Sequence, residues 1–235
     1  MKETIESHEK RLQEWYEITE QTWTNVSDLG NGILVYHNVL KPSLNIIDRL
    51  EEVVSNPENP YSYAEAMVGY GMKMPEYRDC LDLKFKKTDI QDDESPASLK
   101  LQSLWEDVHF AKLQAVKDYT KRFNVGELRY WEALNFVKYG PGQHFQEHTD
   151  HGFSYNCVVS LVGYVNDDYD GGEIFFRAQG LKIKPKAGDL FVFPSNFMYP
   201  HRAMPVHGGT KYSIVTMLDY SKKYHDQSFY EESGE

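Results

Sequence analysis

Residues 139–165 read YGPGQHFQEHTDHGFSYNCVVSLVGYV, and the segment FQEHTDHG inside them, residues 145–152, decides how the rest of the chain is read. Its flanks are strand-like, so an extended backbone points the side chains of His148 and Asp150, two residues apart, to one face. An imidazole and a carboxylate that converge in this way, joined by a second histidine from elsewhere, make the 2-His-1-carboxylate face of a mononuclear iron site. The third ligand is expected at His201, in NFMYPHRAMPV. Taken bare, HxD is a weak pattern in a chain with nine histidines and thirty-six acidic residues, where a surface His–Asp pair at a strand end is the plain alternative. Zinc would accept the same three groups, so the ligands alone leave the metal open.

Around this segment the chain breaks into short apolar runs punctuated by Gly, Pro, Asn and Asp. Strands are expected near 131–139, 144–149, 156–163, 173–176, 181–184, 190–193, 200–205 and 211–219. Eight such segments predict an antiparallel sandwich or double-sheet jelly roll. The gaps are too short for the helical crossovers of a parallel sheet. Upstream, Leu101, Leu104, Trp105, Val108, Phe110, Leu113 and Val116 recur at helical spacing, which predicts a helix from residue 98 or 99 to about 123. A second helix is expected from a cap at Ser43 to about Ser55, with Leu44, Ile47, Leu50, Val53 and Val54 as its apolar stripe. Before it come a turn at 28–32 and a strand at 33–40, and before those a short amphipathic helix within 5–24. Residues 56–97 are the least patterned. They contain a possible strand at 80–85 and are read either as loops covering a pocket or as an ordinary surface excursion. The expected fold class is mainly β with supporting α-helices, in one domain spanning 1–235. Helical support lies mainly in 1–125 and the jelly-roll core in 130–220.

The 235 residues are 40% hydrophobic and 14% aromatic, enough for one sizeable core. A net charge of -11 argues against nonspecific binding to nucleic acid or to an anionic membrane, both of which need clustered Lys and Arg. It favours a basic or neutral substrate. The two cysteines, Cys80 and Cys157, form no disulfide framework, and Cys157 in CVVSLVGY reads as a buried thiol of a reducing compartment. The amino terminus is too polar for a signal peptide, and no apolar stretch reaches the length of a membrane span, so a cytoplasmic location is expected.

Ten residues beyond His201, Lys211 lies on a predicted strand with Ser213 on the same face. An ammonium and a hydroxyl placed there would hold one end of a small dicarboxylate. Tyr139, at the end of the strand before Gly140-Pro141-Gly142, can donate its hydroxyl to the same group. For each, a bland alternative stands: a solvated lysine, an aromatic core residue.

The sequence resembles the prolyl 4-hydroxylase-like branch of the Fe(II)/2-oxoglutarate-dependent oxygenases. The matching features are YGPGQHFQEHTD at 139–150, DGGEIFF at 170–176, LKIKPKAGDLFVFPS at 181–195 and HRAMPVHGGTKYSIVTML at 201–218, in that order. The resemblance is strong over roughly 130–219 and weak at 33–55. It implies a double-stranded β-helix with Fe(II) held by His148, Asp150 and His201, which are also the catalytic residues. It implies 2-oxoglutarate anchored by Lys211 with help from Tyr139, dioxygen as co-substrate, and ascorbate in a supportive role. Gly171 and Gly172 are expected to shape the backbone; Glu173 is expected as an ordinary ion pair or solvated strand-edge carboxylate, with orienting substrate as the alternative, and Arg177 either likewise or facing an acidic group of the substrate. The implied reaction couples decarboxylation of 2-oxoglutarate to hydroxylation of an unactivated C–H bond, with a prolyl residue of a peptide or protein as the leading substrate. Asp150 stands where halogenases carry a small residue, which disfavours halide transfer. Two alternatives are a hydroxylase of a free amino acid or other small molecule, and a non-catalytic jelly-roll binding module.

Overall fold

A computed structural model of the protein describes residues 23–69, 71–126, 128–152, 156–221 and 226–227. The helix expected within 5–24 lies, up to residue 22, outside the described residues.

The chain first lays down β1 (Val26–Asp28) and β2 (Leu34–Tyr36), joined by a tight turn. The expected strand at 33–40 is cut short after Tyr36 because Asn38 turns the backbone with a φ of 57°. A 3-10 turn at Pro42–Leu44 leads into α1 (Ile46–Val54). The cap position of α1 is Asn45 in the left-handed conformation, not Ser43, since Pro42 spends the first turn in the tighter helix. The stretch that follows holds β3 (Ala64–Glu65), β4 (Arg78–Asp79), β5 (Leu81–Phe85) and the short α2 (Lys87–Ile90). The long α3 (Pro96–Phe123) ends where expected but starts two to three residues earlier than 98 or 99, because Ser95 accepts a hydrogen bond from the Ser98 amide and Pro96 fits its first turn.

The β-rich half then follows in order: β6 (Tyr130–Trp131), β7 (Leu134–Tyr139), β8 (His144–His148), β9 (Val159–Tyr164), β10 (Asp170–Gly171), β11 (Ile174–Phe176), β12 (Leu181–Ile183), β13 (Leu190–Pro194), β14 (His201–Ala203), β15 (Val206–Gly208), β16 (Lys211–Asp219) and β17 (Asp226–Gln227). Every expected strand of this half is present, most of them shorter than read. The two-residue ribbon made by β10 and β15 is additional.

Two antiparallel sheets result. The large one runs β1-β2-β13-β9-β16-β7-β5-β3, with β6 and β17 continuing beside β16, and the small one runs β12-β11-β14-β8-β4. They form the jelly roll and place their inner faces against each other. Alternation along the strands explains why the central runs are apolar throughout. In β13, Leu190 and Val192 join the cluster under α3, while Phe191 and Phe193 point inward to meet Ile174 and Phe176 of the small sheet. Similarly Phe136 and Ile214 pack outward against Leu101, Leu104, Trp105 and Val108 of α3. The helices therefore stiffen the outer face of the large sheet, and the inner face is left to form a cavity.

On that inner face the pattern changes. Ser160, Lys211 and Ser213 are buried polar residues at positions that alternate with the helix-facing ones. Burying polar groups without function or partners is costly, so this face marks the site.

Candidate metal centre and anion pocket

His148 closes β8, and its registered neighbour across the sheet is His201, the first residue of β14. The chain leaves the strand at Thr149, so Asp150 reaches the same point from the bend after β8, not from a continued extended segment. The expected convergence holds, with a different local cause. His148 Nε2 lies 3.4 Å from Asp150 Oδ1, and His201 Nε2 lies 3.8 Å from Asp150 Oδ2. One donor atom from each residue falls within 4.8 Å of the others, and among the described residues this group of three is the candidate cation cluster.

The tautomers follow from the hydrogen bonds. His148 Nδ1 lies 2.8 Å from the Gln146 carbonyl and His201 Nδ1 lies 3.1 Å from the Tyr199 carbonyl. A carbonyl only accepts, so each Nδ1 carries the proton and each Nε2 turns a lone pair toward Asp150. The Ser160 hydroxyl donates to Asp150 Oδ2 at 2.5 Å and meets the Ser195 hydroxyl at 2.7 Å, which orients the carboxylate from behind.

Electrostatics favour the ligating forms. Burial opposes ionisation of Asp150, but the neighbouring His201 and His148 and the hydrogen bond from Ser160 outweigh it and hold the carboxyl well below its usual range. Burial pushes His201 down to about 4 despite the neighbouring Asp150, so it is neutral at physiological pH. Phe145 stacks on His148 with ring centroids 3.6 Å apart, and Phe176 and Phe193 pack around His201. Two imidazoles and one carboxylate, rigidly oriented, fit a divalent cation and leave its remaining positions open to other ligands.

A cavity of about 150 Å³ extends from the triad along the inner face of the large sheet. Tyr139, Lys211 and Ser213 line it. Lys211 pairs with Tyr139 across β16 and β7, and is 2% exposed. Its ammonium donates to the Gly172 carbonyl at 2.9 Å and lies 4.9 Å and 5.1 Å from the ring centroids of Tyr139 and Tyr164. It forms no ion pair among the described residues. Burial, and then Lys184, pull its pKa down to about 7. A buried ammonium that lacks a carboxylate partner, set in an aromatic cradle, is suited to an anion entering the cavity.

Gly172 has a φ of 64°, and a Cβ there would come within 2.8 Å of the Tyr169 ring and 3.2 Å of Lys211 Cδ. The expected backbone role of this glycine is thus the close approach that lets its carbonyl hold Lys211. Glu173 pairs with Lys182 and Arg177 with Glu147, both as ordinary ion pairs. His151 turns away to the Cys157 backbone.

Two residues of the site, Arg78 in the cavity wall and Ser160 behind Asp150, escape sequence reasoning. Arg78, from the unpatterned 56–97 region, enters the cavity wall because β4 pairs with β8; it reaches Asp82 at 3.0 Å and lies over the Phe145 ring. That region therefore does form part of the pocket. Ser160 carried a signal that passed unused: a hydroxyl in the middle of an otherwise apolar strand.

Comparisons with known proteins agree with this geometry. Residues 134–218 match the family model of the 2OG-Fe(II) oxygenase superfamily. A protein of Acanthamoeba polyphaga mimivirus named "Putative prolyl 4-hydroxylase" is 32% identical over 101 residues, which are 34% of this chain and 42% of that protein. Procollagen-lysine,2-oxoglutarate 5-dioxygenase 2 of Homo sapiens is 27% identical over 130 residues, 54% of this chain and 17% of that protein. The chain thus spans less than half the length of these curated relatives. Among solved structures, a Trichoplax adhaerens prolyl hydroxylase in complex with a hypoxia inducible factor peptide fragment superposes with a TM-score of 0.61 at 15% identity, over 92% of this chain and 94% of that one. A Pseudomonas putida prolyl-4-hydroxylase gives a TM-score of 0.56 at 19% identity, over 87% and 98%. The strands that bear the triad and the buried lysine lie within the stretch similar to the 2OG-Fe(II) oxygenase superfamily, and the fold is similar to that of these prolyl hydroxylases.

Proposed function

We propose that this protein is an Fe(II)- and 2-oxoglutarate-dependent dioxygenase that hydroxylates a prolyl residue of a peptide or protein. The observation that carries the reading is the placement of two proton-fixed histidines, Asp150 and the buried Lys211 ammonium around one cavity. In this reading His148, Asp150 and His201 are the metal ligands and catalytic residues, while Lys211, Tyr139 and Ser213 bind the co-substrate. When bound, iron and 2-oxoglutarate supply the oxidising chemistry, consuming dioxygen, releasing succinate and carbon dioxide, and converting a substrate C–H bond to C–OH. Ascorbate is supportive by keeping iron ferrous.

The chain's own residues orient and shield. Lys211 takes the far carboxylate of 2-oxoglutarate, with Ser213 on the same strand face and the Tyr139 hydroxyl beside it. Burial above all raises the pKa of Tyr139, so it acts as a neutral donor. The aromatic wall of Phe145, Phe176 and Phe193 keeps bulk water from the triad. No side chain is needed as a general acid or base for hydrogen abstraction. A single domain is part of the same reading, supported by the packing of α3 on the sheet that bears the anchor. A cytoplasmic setting is part of the same reading, supported by the buried free thiols of Cys80 and Cys157. Among the described residues no helix is long and apolar enough to cross a membrane.

The test is anaerobic addition of Fe(II) and 2-oxoglutarate, followed by air and a library of proline-bearing peptides. The expected result is a weak visible charge-transfer band, then succinate and a mass gain of one oxygen localised to proline. Absence of both band and succinate points to a binding module, and turnover of free amino acids with none of the peptides would replace the substrate assignment.

A further inference from the structure

The inner face of the large sheet carries one straight transverse rung. Val162 pairs with Val215, Val215 with Asn135 and Asn135 with Lys84, across β9, β16, β7 and β5. All four line the cavity. The rung starts close to the triad, since Ser160, two residues before Val162 on the same strand, donates to Asp150. Its character changes outward: two valines, then an amide, then a lysine paired with Glu132.

This outer end is built, not incidental. Glu132 is pinned to β16 twice, by its amide donating to the Met217 carbonyl at 2.8 Å and its carbonyl accepting from the Thr216 hydroxyl at 2.9 Å. Its side chain is 8% exposed, whereas that of its partner Lys84 is 47% exposed. Asn135 Nδ2 donates to Asp82 Oδ2 at 3.4 Å, which directs its other arm elsewhere, and Asn135 Oδ1 is buried with no hydrogen-bond partner. The cavity thus ends in two acceptors: an unsatisfied amide carbonyl and a sheltered carboxylate whose cation sits on a flexible stem reaching into water. Once the Lys84 stem swings out, an anionic group would meet only the two acceptors there, and an apolar one would leave the carbonyl unpaired.

We propose that this end is a cation subsite for the substrate. A lysyl or arginyl side chain of the peptide, beside the residue being oxidised, takes the place of the Lys84 ammonium on Glu132 and donates to Asn135 Oδ1. The exchange keeps one positive charge on Glu132, and the expelled Lys84 moves into solvent it already partly occupies. The net charge of -11 draws basic peptides to the same molecule. This inference rests on the oxygenase reading of the triad and adds the sequence context that the site selects.

Two fluorescent peptide pools test it, identical except for a position adjacent to a fixed proline that holds lysine in one and norleucine in the other. Binding is read by anisotropy on the anaerobic Fe(II)- and 2-oxoglutarate-loaded protein, whose charge-transfer band reports separately that the site is folded and loaded. The wild type is expected to bind the lysine pool about tenfold or more tightly than the norleucine pool. Glu132→Gln and Asn135→Leu are each expected to remove that preference, and Lys84→Met to enlarge it by removing the competing ammonium. Equal binding of the two pools by the wild type, or a preference that survives in both Glu132→Gln and Asn135→Leu, overturns the subsite. A wild type with a normal band and no charge preference defeats the subsite alone, while a wild type with no band defeats the oxygenase reading and the subsite with it.

Discussion

His148 and His201 are directly registered partners on antiparallel strands, with ring centroids 4.4 Å apart, although fifty-three positions separate them in the chain. The backbone ladder of the small sheet therefore sets the spacing of the two nitrogen donors. Each ring is then fixed by a carbonyl two residues before it in its own chain, Gln146 for one and Tyr199 for the other. Asp150 is the exception, because it stands on a bend and depends on Ser160 for its orientation.

That dependence gives the first prediction. Ser160→Ala leaves the three ligands in place but removes the hydrogen bond behind Asp150. Loss of such an orienting partner costs about 10–100-fold in metal affinity. Titration with Fe(II) or Mn(II) reads the change, and an unaltered affinity means that the bend alone positions the carboxylate.

Lys211→Met separates anchoring from folding. Removing a charge-assisted contact is expected to weaken 2-oxoglutarate binding by about 10–100-fold. The Tm of the ligand-free protein should hold or rise, since a buried cation without an ion pair gives way to an apolar side chain of similar length. A large drop in Tm would instead make Lys211 a structural residue.

The pH dependence of co-substrate binding has a definite sign. Lys211 titrates near 7 in the ligand-free protein, against an ordinary 10.5. Only its protonated form attracts a carboxylate, so affinity is full below about pH 7 and falls above it, by up to about tenfold per pH unit. Binding above that point takes up a proton, which calorimetry in buffers of different ionisation enthalpy measures. Between about pH 7 and 10.5 the unfolded chain binds more protons here than the folded one, so Lys211 makes the ligand-free fold more stable as pH rises through that window, while co-substrate affinity declines. Lys211→Arg should flatten the binding profile, and a profile that keeps its slope in this variant would assign the titration to another group.

Gly172→Ala tests how the anchor is held. The added methyl must push against Tyr169 and Lys211 Cδ, and the φ of 64° disfavours alanine by roughly 1–2 kcal/mol. The expected outcome is weaker 2-oxoglutarate binding with metal affinity unchanged, because the strain falls at the lysine end of the cavity. Equal loss of both would mean that the two ends move together.

Leu104→Ala removes a fully buried side chain of α3 from its contact with the outer face of the large sheet. A loss of about 2–5 kcal/mol in unfolding free energy is expected in denaturant titration. At temperatures where this variant stays folded, its metal affinity should match that of the wild type. A weakened metal site would show that α3 shapes the inner face as well as supporting the outer one.

Much of this was legible in the chain. Turn residues and short apolar runs predicted the antiparallel jelly roll, because local backbone preference and strand alternation are written in neighbouring residues. The helix through Leu101 and Leu104 was equally local, although its start falls at Pro96 rather than at 98 or 99, and the 3-10 turn at Pro42 moves the cap of α1 from Ser43 to Asn45. His148, Asp150, His201, Lys211, Ser213 and Tyr139 were all identified as candidates, since their chemistry and order are visible without coordinates.

What the sequence determined by itself was the inventory of donors and the alternation that keeps Lys211 and Ser213 on one strand face, consequences of side-chain chemistry and the two-residue period of a strand. Tertiary structure decided everything that depends on which strands lie side by side. It brought Arg78 into the cavity wall through the pairing of β4 with β8, and set Asn135 and Lys84 on one rung with Val215. It withdrew Asp150 from the strand, and stripped water from Lys211. Register and desolvation are properties of distant segments in contact, and no window of neighbouring residues contains them.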